Sequence, residues 1–356
     1  MSARAELKSR CLASNSEVPD APLPERWPTR ITELLGIRWP LLLGGMMWLS
    51  DARLVAAMVR AGGMGFVTAR SYPSDEAFRQ ALRECRDLTN GDGFGVNLTL
   101  SRRATNNDAM HNRLEVALEE GVRIFETAGL PPTDLLPAIQ RAGAVVIHKC
   151  AHVRHAVAAQ NMGVHAVTLV GMEEGGHPGS NQLPTFLNGA YGLERLSIPL
   201  ALGGGIGHGR QIAAALALGA DAVVMGSIFT IAEETPAHDD YKRRVVATDE
   251  HGTRAVLSSL GDTWRVIDNE NARKVASLEQ AGARSYQEFG ELISGDRTKA
   301  LAYVRGQHEE GMLSMGPAVG FARAVQPLGD IVHRLKCECV ASSTRFVRMA
   351  EKVPLG

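Results

Sequence analysis

The nine residues Gly171 to Gly179 (GMEEGGHPG) gather two carboxylates, four glycines, one histidine and one proline. Among them His177 is the side chain able to take or give a proton near neutral pH, so its chemical reading is a general base or acid. The plainer reading is a loop histidine that caps a turn. Gly175 and Gly176 free the backbone beside it to approach a flat ligand. Further on, two short apolar runs each end in small residues. Pro199 to Leu202 meets Gly203, Gly204 and Gly205, and Ala222 to Met225 meets Gly226 and Ser227. Turns without a Cβ let backbone N–H groups close on an anion, so the pair reads as a phosphate site, although glycine between strand and helix is also ordinary punctuation. Asn97 closes FGVN as a buried amide that ligand or protein must satisfy. Lys149, at a strand end, can serve a phosphate or a reduced cofactor, or simply meet solvent. Met46, Met47, Met64 and Met225 suit the face of a flat ring, with core packing as the default. His148, Cys150, His152 and His155 make a poor metal set. A strand ending at His148 breaks the helical face that His148 and His152 would share, and no HExxH occurs, so no metal is expected.

Positioning such groups requires elements, and the chain alternates strand with helix from Pro40 onward. Strands are expected at Pro40–Gly44, Gly65–Thr68, Phe94–Leu98, Arg123–Ala128, Ala144–His148 and His165–Val170, followed by the two glycine-ended runs. Helices are expected at Asp51–Arg60, Ser74–Asp87, Asp108–Glu120, Pro132–Arg141, His152–Asn161 and Gln211–Leu218. Strands recur every 20–35 residues or so (roughly one βα unit each), and eight units favour a closed (β/α)8 TIM barrel, an α/β fold. No turn matches GxGxxG, which weakens a doubly wound dinucleotide fold. In such a barrel the functional residues lie at the C-terminal strand ends and phosphate sits after strands seven and eight. Four regions are expected: a disordered leader over 1–28, the barrel core over 29–235, a mainly helical substrate or cap region over 236–335 that returns to the barrel, and a C-terminal helix and tail over 336–356. Helical stretches in the cap are expected at Ala272–Ala281 and Asp296–Gly311.

Composition narrows the partners. The 356 residues are 45% hydrophobic, enough for a sizeable core, and the net charge of −1 offers no basic field for nucleic acid. No apolar run has membrane-spanning length, and Met1 to Arg30 reads as polar rather than as a signal peptide. Five scattered cysteines suit a reduced, cytoplasmic protein, and Cys337-x-Cys339 lacks the redox spacing. The expected partner is a small-molecule substrate, with no nucleic acid and no membrane; a homodimer stays open.

Taken together these residues resemble the nitronate monooxygenase (2-nitropropane dioxygenase) group of FMN-dependent barrel enzymes. The matching pieces are ITELLGIRWPLLLGGM at the first strand, AGGMGFV at the second, FGVN at the third, EEGGHPG after the sixth and LALGGGIGHGRQIAAALALGADAVVMGSIF at the end, with a weaker echo at Gly306 to Gly320. The same pattern is similar to flavin-dependent enoyl-thioester reductases, NADH:quinone reductases and CoA-thioester oxidoreductases. The resemblance implies a flavoprotein oxidoreductase with FMN, its phosphate on Gly204, Gly205, Gly226 and Ser227 and its ring near Gly45, Met46, Asn97, Gly175 and Gly176. It implies that His177 abstracts the substrate's α-proton. The implied reaction converts alkyl nitronates or nitroalkanes with O2 to carbonyl compound and nitrite; the alternative is an NAD(P)H-dependent FMN reductase of an enoyl or CoA thioester or a quinone. Two departures stand out. Gly44-Gly45-Met46 replaces the family's usual Ala-Pro-Met, and Val170-Gly171 replaces Gln-Gly, which removes a usual flavin-contacting amide. A nucleotide-oxidising barrel of the IMP dehydrogenase kind needs a cysteine in the loop after strand six, and Gly171 to Gly179 has none. A phosphate-ligand binder without catalysis is the non-enzymatic rival.

Overall fold

The computed structural model describes residues 23–101, 107–180 and 182–353. Of the expected leader, 1–22 lie outside the described residues. Trp27 already belongs to the fold: its N–H donates to Arg38 O at 2.8 Å and its ring lies 5.6 Å from that of Trp39. The Thr29 hydroxyl accepts from Thr32 N and so caps α1 (Arg30–Leu35). Ile31 and Leu35 from this turn join the barrel's interior cluster and close its lower end.

Eight strands then alternate with helices: β1 (Leu41–Leu43), α2 (Ala52–Arg60), β2 (Met64–Thr68), α3 (Asp75–Leu88), β3 (Gly95–Leu100), α4 (Asp108–Glu119), β4 (Ile124–Gly129), α5 (Leu136–Arg141), β5 (Val145–Cys150), α6 (Val153–Met162), β6 (Ala166–Val170), α7 (Thr185–Leu193), β7 (Leu200–Gly203), α8 (Gly209–Leu218) and β8 (Ala222–Met225). Each strand pairs in parallel with the next, and β8 closes on β1 with Val224 opposite Leu42. The expected TIM barrel is therefore present. Its strands read as continuous apolar runs because both faces are covered; every residue of β2 and β6 is buried. Leu42, Met64, Phe66, Ile147 and Val224 fill the interior beside the small Ala166, Ala201 and Ala222. Burying one such large side chain stabilises by about 1.5–3 kcal/mol. At the bottom, Arg30 Nη2 meets Asp221 Oδ2 at 2.7 Å, and the same oxygen accepts from Leu200 N at 2.9 Å, tying α1 to β7 and β8.

Beyond β8 come α9 (Asp239–Val246), β9 (Thr253–Val256), β10 (Trp264–Ile267), α10 (Glu270–Gln280), α11 (Tyr286–Phe289) and α12 (Gly295–Thr298), which runs into a π-helical turn at Lys299–Val304. The long α13 (Leu328–Ala350) returns to pack on α8 and α2. This differs from expectation in three places. A two-stranded antiparallel hairpin, Trp264 opposite Val256, stands in the region read as mainly helical. TRAV and WRVI are too short to show a period, and the turn between them needs left-handed backbone at Leu257 (φ 60°) and Gly261 (φ 65°). The helix expected over Asp296–Gly311 is α12 plus the π turn only. The final helix begins at Leu328, directly after Pro327, so the expected boundary at 335/336 cuts through it. The added region has a core of its own, including Val256, Val266, Val275, Phe289 and Met312. Among the described residues no helix is long and apolar enough to cross a membrane.

Candidate active site

The floor of the barrel mouth is built by the ends of β1, β3, β4 and β5. Asn97 Nδ2 donates to Glu126 Oε2 at 2.5 Å, Gly45 N donates to the same oxygen at 3.1 Å, and Asn97 Oδ1 accepts from Thr99 Oγ1 at 3.0 Å. The protein itself thus satisfies the buried amide of Asn97. Gly45 must lack a side chain, because a Cβ there would stand 2.4 Å from the Asn97 side chain. Met46 follows, its N–H on Ser50 Oγ and its sulfur 3.3 Å from where a Cβ on Gly226 would lie. Met46 thus bridges the turns after β1 and β8. Met47 lies half-buried near it, whereas Met64 and Met225 are core residues.

Lys149, at the end of β5, reaches Glu174 Oε1 at 3.5 Å. Burial works against its charge, but Glu126 and Glu174 outweigh burial and raise its pKa. Burial pushes the Glu174 carboxyl up, with Lys149 opposing. Glu173 turns the other way, its Oε2 accepting from Thr185 N at 2.9 Å and Thr185 Oγ1 at 3.0 Å. One adjacent pair of carboxylates therefore serves two places.

The glycine-rich loop after β6 is clamped by the hairpin. Gly176 N donates to Arg265 O at 2.9 Å, Arg265 N donates to Gly176 O at 2.6 Å, and Arg265 Nε donates to Met172 O at 3.0 Å. Gly176 sits at φ 97°, and Gly175 passes so close to Gly316 that a Cβ would be 2.6 Å from its nitrogen. The clamp presents His177, half-exposed, with its ring stacked 4.9 Å from Trp264 at 27° and its Nε2 3.9 Å from Asp262 Oδ1. Trp264 is itself held by Nε1 donating to Ser314 Oγ at 2.8 Å. Desolvation holds the imidazole below its ordinary pKa of 6.5; Asp262 pulls upward and Lys149 downward. The shift favours the form of the imidazole that accepts a proton. A cavity of about 360 Å³ opens over it, walled by Asp262, Trp264, Tyr286 and Ser294.

The two glycine turns lie elsewhere on the mouth. Gly204 and Gly205 have φ of 100° and 71°, and Cβ atoms there would meet Thr185 Oγ1 at 2.8 Å and Glu173 Cβ at 2.9 Å. A second cavity of about 330 Å³ lies beside them, with Gln211, Pro317 and Ala318 in its wall. Gly316 N donates to Ser227 Oγ at 2.9 Å, so the segment that lines the Gly204 cavity also touches the turn after β8. These residues fit the expected flavin: a cradle that a Cβ would fill for its phosphate, and at the floor a buried Glu126 Oε1 with no hydrogen-bond partner among the described residues. The cavities at His177 and at Gly204 share no wall residue.

His148 stays in the packing, with Nδ1 2.9 Å from Thr127 Oγ1, and burial lowers its pKa to about 4. Among the described residues no group of three or more His, Cys, Asp or Glu is placed to hold a metal. Sequence reasoning gave Glu126 no role beyond its strand end, and it missed Arg265, Asp262, Trp264 and Tyr286 altogether. The single local signal for Asp262, Trp264 and Arg265 was GDTWR, a charge-flanked aromatic that opens the second strand of the hairpin.

The family model described as nitronate monooxygenase matches residues 28–338. The chain is 35% identical over 260 residues to a (3aS,4S,5R,7aS)-5-hydroxy-7a-methyl-1-oxo-octahydro-1H-indene-4-carboxyl-CoA dehydrogenase of Mycobacterium tuberculosis, covering 72% of this chain and 70% of the relative. Among solved structures, FabK from Thermotoga maritima matches with a TM-score of 0.81 at 30% identity, over 91% of this chain and 99% of that one. A nitroalkane oxidase from Streptomyces ansochromogenes matches with a TM-score of 0.77 at 25% identity, over 89% and 100%.

Proposed function

The chain belongs to the nitronate monooxygenase family, and from that premise we propose that it is an FMN-dependent oxidoreductase acting on an acyl thioester, with His177 as the base that removes the α-proton. The observation that carries the reading is the half-open imidazole of His177, stacked on Trp264 and facing Asp262, over a cavity of about 360 Å³. That space is far larger than a small nitroalkane needs and lies in the usual range for an organic ligand. The similarity to a carboxyl-CoA dehydrogenase supports the thioester. Bound FMN would supply the two-electron chemistry. The protein's share is different. Gly204, Gly205, Gly226 and Ser227 hold the phosphate; Gly45, Met46, Asn97, Gly175 and Gly176 offer the close, flat surface for the ring; and Lys149 places a cation beside it. His177 Nε2 takes the proton while Trp264 fixes the ring plane and Asp262 faces the imidazolium that results. The added region holds the loop in place through Arg265.

A second reading, oxidation of nitroalkanes or nitronates with O2, is favoured by the matched nitroalkane oxidase structure. It uses the same base, since a nitro group also acidifies the neighbouring C–H. The two separate in one experiment: anaerobic additions of an acyl-CoA, propyl nitronate, NADH and NADPH to FMN-loaded protein, followed by flavin absorbance. Bleaching by the acyl-CoA supports the proposal, bleaching by nitronate alone supports the second reading, and fast bleaching by a pyridine nucleotide makes the protein a reductase. His177→Ala should keep FMN and lose about 10²–10⁴-fold in turnover of any neutral carbon acid. Undiminished turnover in that variant would refute the base, whichever substrate is used.

A further inference from the structure

Glu126 is 1% exposed, in the middle of the sheet that forms the barrel mouth. Its two oxygens are treated unequally. Oε2 accepts twice, from Asn97 Nδ2 at 2.5 Å and from Gly45 N at 3.1 Å. Oε1 is equally shut away from solvent and has no hydrogen-bond partner among the described residues. The nearest cation does not supply one: Lys149 is turned to Glu174 at 3.5 Å and acts on Glu126 through space. A buried acceptor left unmade costs its full desolvation, so such atoms mark places where something else donates. The location narrows what that is. Glu126 stands beside Asn97 of β3 and beside Gly44 and Gly45, which follow β1 at its C-terminal end, the face on which barrels of this kind bind their ligands. Gly44 lies beside it, where an added Cβ would sit in ordinary contact with Oε1 at 3.9 Å and press on Val224 at 3.0 Å.

We infer that Glu126 is a cofactor-binding residue whose Oε1 accepts a hydrogen bond from the flavin, either from the imide N–H of its ring or from the 2′-hydroxyl of its ribityl chain. The inference rests on the flavin reading above and adds to it a residue outside the glycine turns. The carboxylate is needed rather than an amide because Glu126 accepts at both ends. A glutamine has one acceptor oxygen. Turned toward Asn97 and Gly45, it presents its NH2 to the ligand's donor; turned toward the ligand, it presents the NH2 to Asn97 Nδ2. Either orientation sets donor against donor.

The test is the FMN dissociation constant of the full-length apoprotein, read by flavin fluorescence, for wild type and Glu126→Gln. A hydrogen bond to a charged acceptor corresponds to a loss of about 10- to 100-fold in affinity. Two analogues, FMN methylated at the imide nitrogen and FMN lacking the ribityl 2′-hydroxyl, distinguish the donors in the wild-type protein without any substitution. The analogue lacking the relevant donor should bind wild type at least about tenfold more weakly than FMN, and should bind Glu126→Gln no worse than FMN does. Equal FMN affinity in wild type and a Glu126→Gln variant of unchanged melting temperature overturns the inference. So does wild-type binding of both analogues as tight as that of FMN. Wild-type protein that takes up no FMN at all overturns the flavin reading itself, a different result from either of these.

Discussion

Replacing Asp262 by asparagine asks whether the strength of the base proposed at His177 is set across the gap between the glycine-rich loop and the hairpin. The two groups are 3.9 Å apart, with side chains 51% and 42% exposed. At that separation two unit charges interact by about 1 kcal/mol in water and more in a drier setting. Measured pairs on protein surfaces give about 0.2–1 kcal/mol. One pKa unit is about 1.4 kcal/mol, so the loss of Asp262 should lower the imidazole's pKa by about half a unit. The sign follows from the groups present. Partial desolvation of this half-exposed ring already lowers its pKa, Lys149 adds to that, and Asp262 opposes both. Removing the opposing charge makes protonation harder still. The substitution spares the local frame, because an asparagine carbonyl can still accept the Tyr286 hydroxyl that donates to Oδ2 at 2.8 Å. The assay is kcat/KM against pH for a neutral carbon acid; a preformed nitronate needs no base and serves as the control. The acid limb, where rate falls as the imidazole protonates, should move to lower pH by about half a unit. High salt should move the wild-type limb in the same direction by screening the pair. A limb that moves upward, or stays in place while the rate falls, refutes the argument that Asp262 faces the working base.

Two further outcomes follow from the barrel. Gly204→Ala forces a Cβ into left-handed backbone at φ 100° and to 2.8 Å from Thr185 Oγ1; it should lower stability by about 1–2 kcal/mol and weaken FMN binding more than riboflavin binding, and an unchanged preference for FMN over riboflavin would remove the phosphate from that turn. His148 has a folded-state pKa of about 4 against an ordinary 6.5. Its neutral form therefore contributes stability that is complete above about pH 6.5 and is lost as pH falls toward 4, about 3 kcal/mol in all. The melting temperature of wild type should drop more steeply through that window than that of His148→Gln, and parallel profiles would show that His148 is not the group that titrates.

The barrel was legible in the chain because its signals are local. Strands buried on both faces leave unbroken apolar runs such as PLLLG and AVVM, helices carry their caps at Asp51 and Ser74, and glycine punctuates the turns; each cue spans a handful of neighbouring residues. The candidate positions for chemistry were proposed on the same local cues, since a (β/α)8 fold sends functional side chains to known ends of its strands. What those side chains meet was not legible. Asn97 is satisfied by Glu126, 29 residues on, and Glu174 is paired with Lys149 while its neighbour Glu173 caps α7 instead. The stacking face and the charge beside His177 come from Trp264 and Asp262, in a hairpin whose four-residue strands show no period of their own. Nothing local marks such pairs, because they are chosen by the closure of the barrel and the packing of the added region over its mouth. The types of the reactive groups belong to the sequence; their protonation, partners and exposure are properties of groups brought together from distant parts of the chain, and only the tertiary structure decides them.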